Sequence, residues 1–185
     1  HSAGRPHLVA ALYQSLQRHF AGTKLIASIE ASEAAADGAA TALDAPLDAP
    51  GPHSQLFSVA ADTGLSAARN FLVQRANTPY VYLMDDDFTV GATSHLDLLL
   101  QRLVTDGVDI AGAVIPQDIA AYVHFRGFVN ATAEGDLQLR YGQYGRIGGC
   151  SHVDFVPNVF MARRAALVAS PWDDELKLGE HEDFF

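Results

Sequence analysis

The sequence holds a single cysteine, Cys150, among 185 residues, which excludes an intrachain disulfide and a zinc site built on cysteines. Basic residues are scarce: 12 Lys and Arg stand against 22 Asp and Glu, a formal charge of −10 at pH 7. That balance argues against nucleic acid and anionic membrane surfaces as partners, since both recruit basic patches. No apolar run is long enough to span a bilayer, and no charged-then-apolar leader opens the chain. A phosphate-cradling Walker pattern, the dinucleotide-binding glycine fingerprint and internal repeats are missing as well. The chain starts at His1 and stops at Phe185, in what reads as the middle of an element. It therefore reads as a fragment, with any anchor or targeting segment expected upstream.

What is present is material for one core. A hydrophobic content of 49% at this length predicts one domain over residues 1–185 rather than two. Leu8, Val9, Leu12, Tyr13, Leu16 and Phe20 recur at helical spacing behind Pro6, which suits a first helical turn. Residues 24–29 read as a short strand with Glu30 at its end. Residues 31–54, rich in Ala, Asp and Gly and interrupted by Pro46, Pro50 and Pro52, read as a loop or insertion. Leu56 to Ala60 forms a second short strand, and Gly64 with Ser66 opens a helix reaching about Arg75. Pro79 introduces the next strand. A helix with Leu96, Leu99, Leu100 and Leu103 on one face follows, closed by Gly107 before the apolar run 108–115. Strands alternating with helices imply an α/β domain with a mainly parallel sheet, whose ligands bind beyond the carboxyl ends of the strands. Residues 122–130 and 137–144 alternate like a hairpin, Gly142, Gly145, Gly148 and Gly149 read as a mobile loop, and residues 153–161 return to the core.

Two acidic segments stand out. The strand-like stretch 80–88 runs Tyr-Val-Tyr-Leu-Met-Asp-Asp-Asp-Phe and places Asp85, Asp86 and Asp87 at its end. Three adjacent carboxylates repel one another unless a cation neutralises them. Magnesium or manganese suits such hard oxygen ligands and keeps positions open for phosphates. An exposed Asp-rich turn is the equally open alternative. A calcium EF-hand loop is excluded, because the sixth position from Asp85 is Val90 where Gly is needed and the twelfth is Leu96 where Glu is needed. The second segment, from Trp172 to Phe185, mixes aromatics with Asp173, Asp174, Glu175, Glu180, Glu182 and Asp183. On its own, a carboxylate at Glu180 or Glu182 reads as a helix cap favoured by the helix dipole.

Taken together, the segments Thr63-Gly-Leu-Ser-Ala-Ala-Arg-Asn70, residues 80–88, residues 149–164 and residues 172–185 follow the order seen in GT-A-fold glycosyltransferases. The chain resembles in particular the family-2-like β-1,4-N-acetylgalactosaminyltransferases of the ganglioside-synthase type, from about Leu8 onward. The resemblance implies a three-layer α/β/α sandwich, incomplete at both ends. It also implies metal-dependent, inverting transfer of a hexosamine or hexose, GalNAc favoured, from a UDP-sugar to an acceptor glycan on a glycoprotein or glycolipid. Asp85 and Asp87 look like the outer positions of the family's DxD motif, Asp87 as the ligand of Mn2+ or Mg2+ and Asp85 beside the ribose and the metal. Asp86 falls among the donor-binding residues. Glu30 occupies the place of an acidic contact to uridine. Arg69 corresponds to the arginine of the Ser-Ala-x-Arg-Asn segment, either supporting the diphosphate or forming a buried ion pair with an Asp of the triplet. Asp183 matches the catalytic base with Glu182 beside it facing the acceptor, because inverting transfer needs a carboxylate within reach of the attacking hydroxyl. His181 reads as a packing residue, and the histidine that often completes the metal shell in relatives lies beyond Phe185. A Golgi-lumenal location, with membrane attachment through an anchor outside the chain, also follows from the resemblance. Two other classes fit the residues: a non-catalytic carbohydrate-binding scaffold and a metal-dependent nucleotidyltransferase.

Overall fold

A computed structural model of the chain describes residues 5–30, 46–47, 51–113, 127–141, 146–147, 150–177 and 179–185. Most of the expected loop 31–54, residues 122–126 of the expected hairpin, and Gly142, Gly145, Gly148 and Gly149 lie outside this set. Helix α1 (Pro6–His19) begins with proline where no intrahelical donor is needed, and buries Val9, Leu12, Tyr13 and Leu16 along one stripe. Strand β1 (Leu25–Glu30) pairs in parallel with β3 (Ser54–Val59), and the short β2 (Pro46–Leu47) adds antiparallel to the far side of β3. Val9 of α1 packs on Ala27, Ile29 and Leu56 of this sheet. Helix α2 (Leu65–Arg75) sends Phe71 edge-on to Phe57 of β3 at 5.5 Å.

The second sheet consists of β4 (Tyr80–Leu83), β5 (Ile110–Gly112) and β10 (Phe160–Arg163). β10 lies in the middle and is antiparallel to both neighbours, so β4 and β5 run in the same direction. The parallel direction expected for the strands that alternate with helices therefore holds within each sheet, while the late strand β10 enters between two of them the other way. Side-chain alternation splits its surroundings cleanly. Phe160 and Ala162 meet Val73 of α2, Leu167 of α4 (Arg164–Ala169) and Trp172 on one face, with Val81 and Leu83 alongside. Met161 and Ala111 meet Leu103, Leu96 and Leu99 of α3 (Leu96–Thr105) on the other, with Tyr80 and Tyr82. These are the three layers of an α/β/α sandwich, and each fully buried large side chain such as Phe160 or Leu103 contributes roughly 1.5–3 kcal/mol.

The expected hairpin is present as β6 (Gly127–Ala131) against β7 (Leu137–Tyr141), followed by the small ladder of β8 (Arg146–Ile147) and β9 (Cys150–Ser151). Helix α5 (Glu180–Phe184) closes the chain, entered through Gly179 in the left-handed conformation at φ +78°. Phe184 stacks on Trp172 at 4.2 Å between ring centres, and Phe185 meets Phe160 edge-on at 5.9 Å. Among the described residues no helix is long and apolar enough to cross a membrane.

Candidate functional site

The acidic triplet leaves β4 in a turn, closed by a hydrogen bond from Phe88 N–H to the Asp85 carbonyl at 3.4 Å. Its three carboxylates have different fates. Asp86 turns inward: its side chain is 4% exposed and Oδ1 accepts from Arg5 Nη2 at 2.7 Å, while Oδ2 is buried with no partner among the described residues. Asp87 is exposed, and Asp85 lies between these extremes with 41% of its side chain accessible. The inward middle residue thus fixes the turn and leaves the outer two on the open side. Asp85 and Asp86 also contribute charged lining, with Arg69, to a cavity of about 650 Å³ whose other walls are largely apolar residues of α1, β1 and β4.

Helix α2 explains why the Ser-Ala-Ala-Arg-Asn segment is polar where a helix facing the core should be apolar. Ser66, Arg69 and Asn70 fall three and four residues apart, hence on one face, and all three are buried. Ser66 Oγ donates to the Leu176 carbonyl at 3.0 Å. Asn70 Nδ2 donates to the Trp172 carbonyl at 2.8 Å and to Asp174 Oδ1 at 2.6 Å, while Oδ1 accepts from Trp172 N–H at 3.0 Å. This face is a platform for the stretch leading into α5. Arg69, 3% exposed, then reaches two carboxylates: Nη2 lies 3.5 Å from Asp85 Oδ1 and Nη1 lies 3.3 Å from Glu180 Oε1. Its guanidinium also rests 5.6 Å from the Trp172 ring centre. Burial pulls the Arg69 guanidinium below its ordinary value, and Asp85 and Glu180 counter that pull. Partial burial likewise raises the Asp85 carboxyl above the usual range, against the opposing effect of Arg69, with Asp87 adding to the rise.

Of the two alternatives for Arg69, the ion pair with an Asp of the triplet is present, and it extends to Glu180. The structure therefore brings Arg69, Asp85 and Glu180 together, although in the sequence Glu180 has only the look of a helix start. Glu30 Oε1 accepts from Gly64 N–H at 3.2 Å, tying the end of β1 to the start of α2, where Gly64 has φ +80°. Asp183 is exposed on α5, three residues after Glu180 and so on the same helix face. Glu182 falls in α5, its side chain outside the described set. His181 is buried, with Nδ1 2.6 Å from Asn158 Oδ1 and its ring edge-on to Phe185, a packing role.

Whether these residues suit a divalent cation can be judged from the donor set. Among the described residues no three His, Cys, Asp or Glu side chains converge on one point. Asp85 and Asp87 offer hard oxygen donors on the open side of one turn, which fits a magnesium-like ion that takes one or two carboxylates and fills its shell from substrate phosphates.

The family model described as glycosyl transferase family 2 matches residues 36–168. β-1,4 N-acetylgalactosaminyltransferase 2 of Mus musculus is 24% identical over 185 residues, covering 98% of this chain and 33% of that protein. β-1,4 N-acetylgalactosaminyltransferase 1 of Homo sapiens is 27% identical over 150 residues, covering 77% of this chain and 28% of that protein. The Rattus norvegicus form of the latter is 28% identical over 143 residues, covering 72% and 27%. The chain thus spans a third or less of the length of these curated relatives.

Proposed function

The chain belongs to glycosyl transferase family 2, and from that premise we propose that it forms part of an inverting, cation-dependent glycosyltransferase that moves a sugar, GalNAc favoured, from a UDP-sugar to an acceptor glycan. The observation that carries this reading is the Arg69 bridge, which brings the acidic turn after β4 and the acidic helix α5 to one place. Two carboxylate groups with separate tasks are what inverting transfer requires. Asp85 and Asp87 would hold Mn2+ or Mg2+, and a bound divalent cation neutralises charge building on the departing diphosphate. Asp183, exposed on α5, takes the proton of the acceptor hydroxyl as that oxygen bonds to the anomeric carbon. The bond from that carbon to the diphosphate oxygen breaks on the opposite side, and UDP leaves. Glu182, the residue before Asp183 in the chain, would serve the acceptor. Asp86, held by Arg5, keeps the turn in shape, and Glu30 sets the junction of β1 and α2 beside which the uridine would lie. Similarity to N-acetylgalactosaminyltransferases favours GalNAc as the sugar. With this reading go a glycoprotein or glycolipid acceptor and a Golgi-lumenal location, membrane attachment being through a segment outside these residues.

One titration tests it. UDP is added to the folded chain with and without Mn2+, for the wild type, Asp87→Ala and Asp183→Asn. The wild type should bind only with the cation, and Asp87→Ala should lose that binding by tenfold or more, about 1.4 kcal/mol. Asp183→Asn should bind like the wild type yet fail to release UDP from UDP-GalNAc with an acceptor present. Cation-independent binding, or full turnover by Asp183→Asn, would reject the assignment.

A further inference from the structure

The guanidinium of Arg69 serves two carboxylates with different tasks in the proposed reaction. Asp85 belongs to the cation site, and Glu180 is the first residue of α5, the helix that presents Asp183. Both contacts, at 3.5 and 3.3 Å, are longer than the roughly 2.7–2.9 Å of a tight charge-assisted hydrogen bond, so neither carboxylate holds the guanidinium fully. Arg69 is also buried, so water cannot take the place of a lost partner. Helix α5 has five residues, too few to be stable alone, and depends on what holds its first turn and on the stack of Phe184 upon Trp172.

We propose that Arg69 is a positioning residue through which cation binding at Asp85 and Asp87 sets the place of α5 and thereby of Asp183. Without a cation, Asp85 and Glu180 share the guanidinium, at 3.5 and 3.3 Å, and Asp85 keeps it from closing fully on Glu180. A cation at Asp85 takes over the neutralisation of that carboxylate, the guanidinium settles on Glu180, and the first turn of α5 is drawn in. The base is thus brought into place when the donor site is filled. Coupling of this kind is reciprocal: removing the charge of Glu180 gives Arg69 wholly to Asp85, which must weaken cation binding. The inference rests on the reading of Asp85 and Asp87 as cation ligands.

Trp172 is the single tryptophan of the chain and contacts both Arg69 and Phe184, so its emission reports on this junction without any assay of transfer. Mg2+ with UDP is the probe, because Mg2+ does not quench as a paramagnetic ion does. In the wild type, heat of binding and the Trp172 emission change should share one midpoint. In Glu180→Gln the affinity for Mg2+ with UDP should fall about fivefold, the lower end of usual coupling, and the emission change should disappear. If that variant does not fold, Arg69→Lys reads the same link, because a single ammonium cannot fork to both carboxylates; binding should persist with Trp172 silent. Binding that needs Asp87 but is equally tight in Glu180→Gln, or an emission change kept in Arg69→Lys, overturns the coupling alone. Absence of any binding by the folded wild type overturns the donor-site reading and the coupling with it.

Discussion

Asn70 uses both ends of its amide at once, accepting from Trp172 N–H and donating to the Trp172 carbonyl and to Asp174. Alanine at this position removes three hydrogen bonds and leaves buried polar groups of Trp172 unmatched. Asn70→Ala should therefore lower the unfolding free energy by about 2–3 kcal/mol, read in urea titrations as an earlier midpoint with an unchanged slope. A midpoint equal to the wild type would show that α2 does not clamp residues 172–174. Arg163 and Arg164 teach a related lesson. Arg164 donates to the carbonyls of Val73 and Gln74 at the end of α2, and Arg163 to those of Leu103 and Val108 around the end of α3. Both cap helices that precede them by many residues. The carboxylates of the site were legible in the sequence because charge clusters are visible in one dimension. The pairing of Arg69 with an Asp of the triplet was open to view as one of two readings, but the other partners were not: Arg5 lies 81 positions from Asp86, and Arg69 lies 111 from Glu180. Only the fold brings such residues together.

Among the elements, those with a period of their own were readable. The α1 stripe, the leucines of α3 and the alternation of β6 and β7 each announce a helix or strand, and α1 and the start of β7 fall at the expected positions, while residues 122–126 and 142–144 of the expected hairpin lie outside the described residues. β10 has no such signature, since Phe160, Met161 and Ala162 are buried from both faces and a run buried on both faces does not alternate. Its antiparallel entry between β4 and β5 depends on tertiary pairing alone. The hairpin shows how an element is seated. Gly127 exchanges backbone hydrogen bonds with Phe155 at 3.3 Å, and a Cβ there would press on the Arg140 carbonyl and come within 2.6 Å of the Phe155 ring. Gly127→Ala should accordingly cost about 1–3 kcal/mol through overpacking. Gly91→Ala, where an added Cβ meets nothing within 4 Å, should leave the thermal midpoint nearly unchanged. Equal midpoints for the two variants would mean that the hairpin is not packed against residue 155.

At the scale of the whole molecule, an already acidic chain meets alkaline pH with a formal charge of −10 that grows more negative as tyrosines ionise. Tyr82 resists most. It lies on the face of the second sheet that packs against α3, and burial pushes its phenol up to about 12 from an ordinary value of 10.0. The folded state therefore holds this proton more tightly than the unfolded state does. The resulting stabilisation is complete below pH 10 and is lost as pH rises through 12. A gap of two pH units at 1.36 kcal/mol each limits the loss to about 2.7 kcal/mol. Tyr82→Phe keeps the ring in the core and removes the ionisation, so it should lack this part of the alkaline decline. Urea midpoints measured from neutral pH to about pH 11.5 should stay parallel for the two proteins up to pH 10 and then diverge, with the wild type falling faster. Curves that remain parallel throughout would mean that the Tyr82 phenol ionises as easily in the folded chain as in water, and that the seam between β4 and α3 is open to solvent.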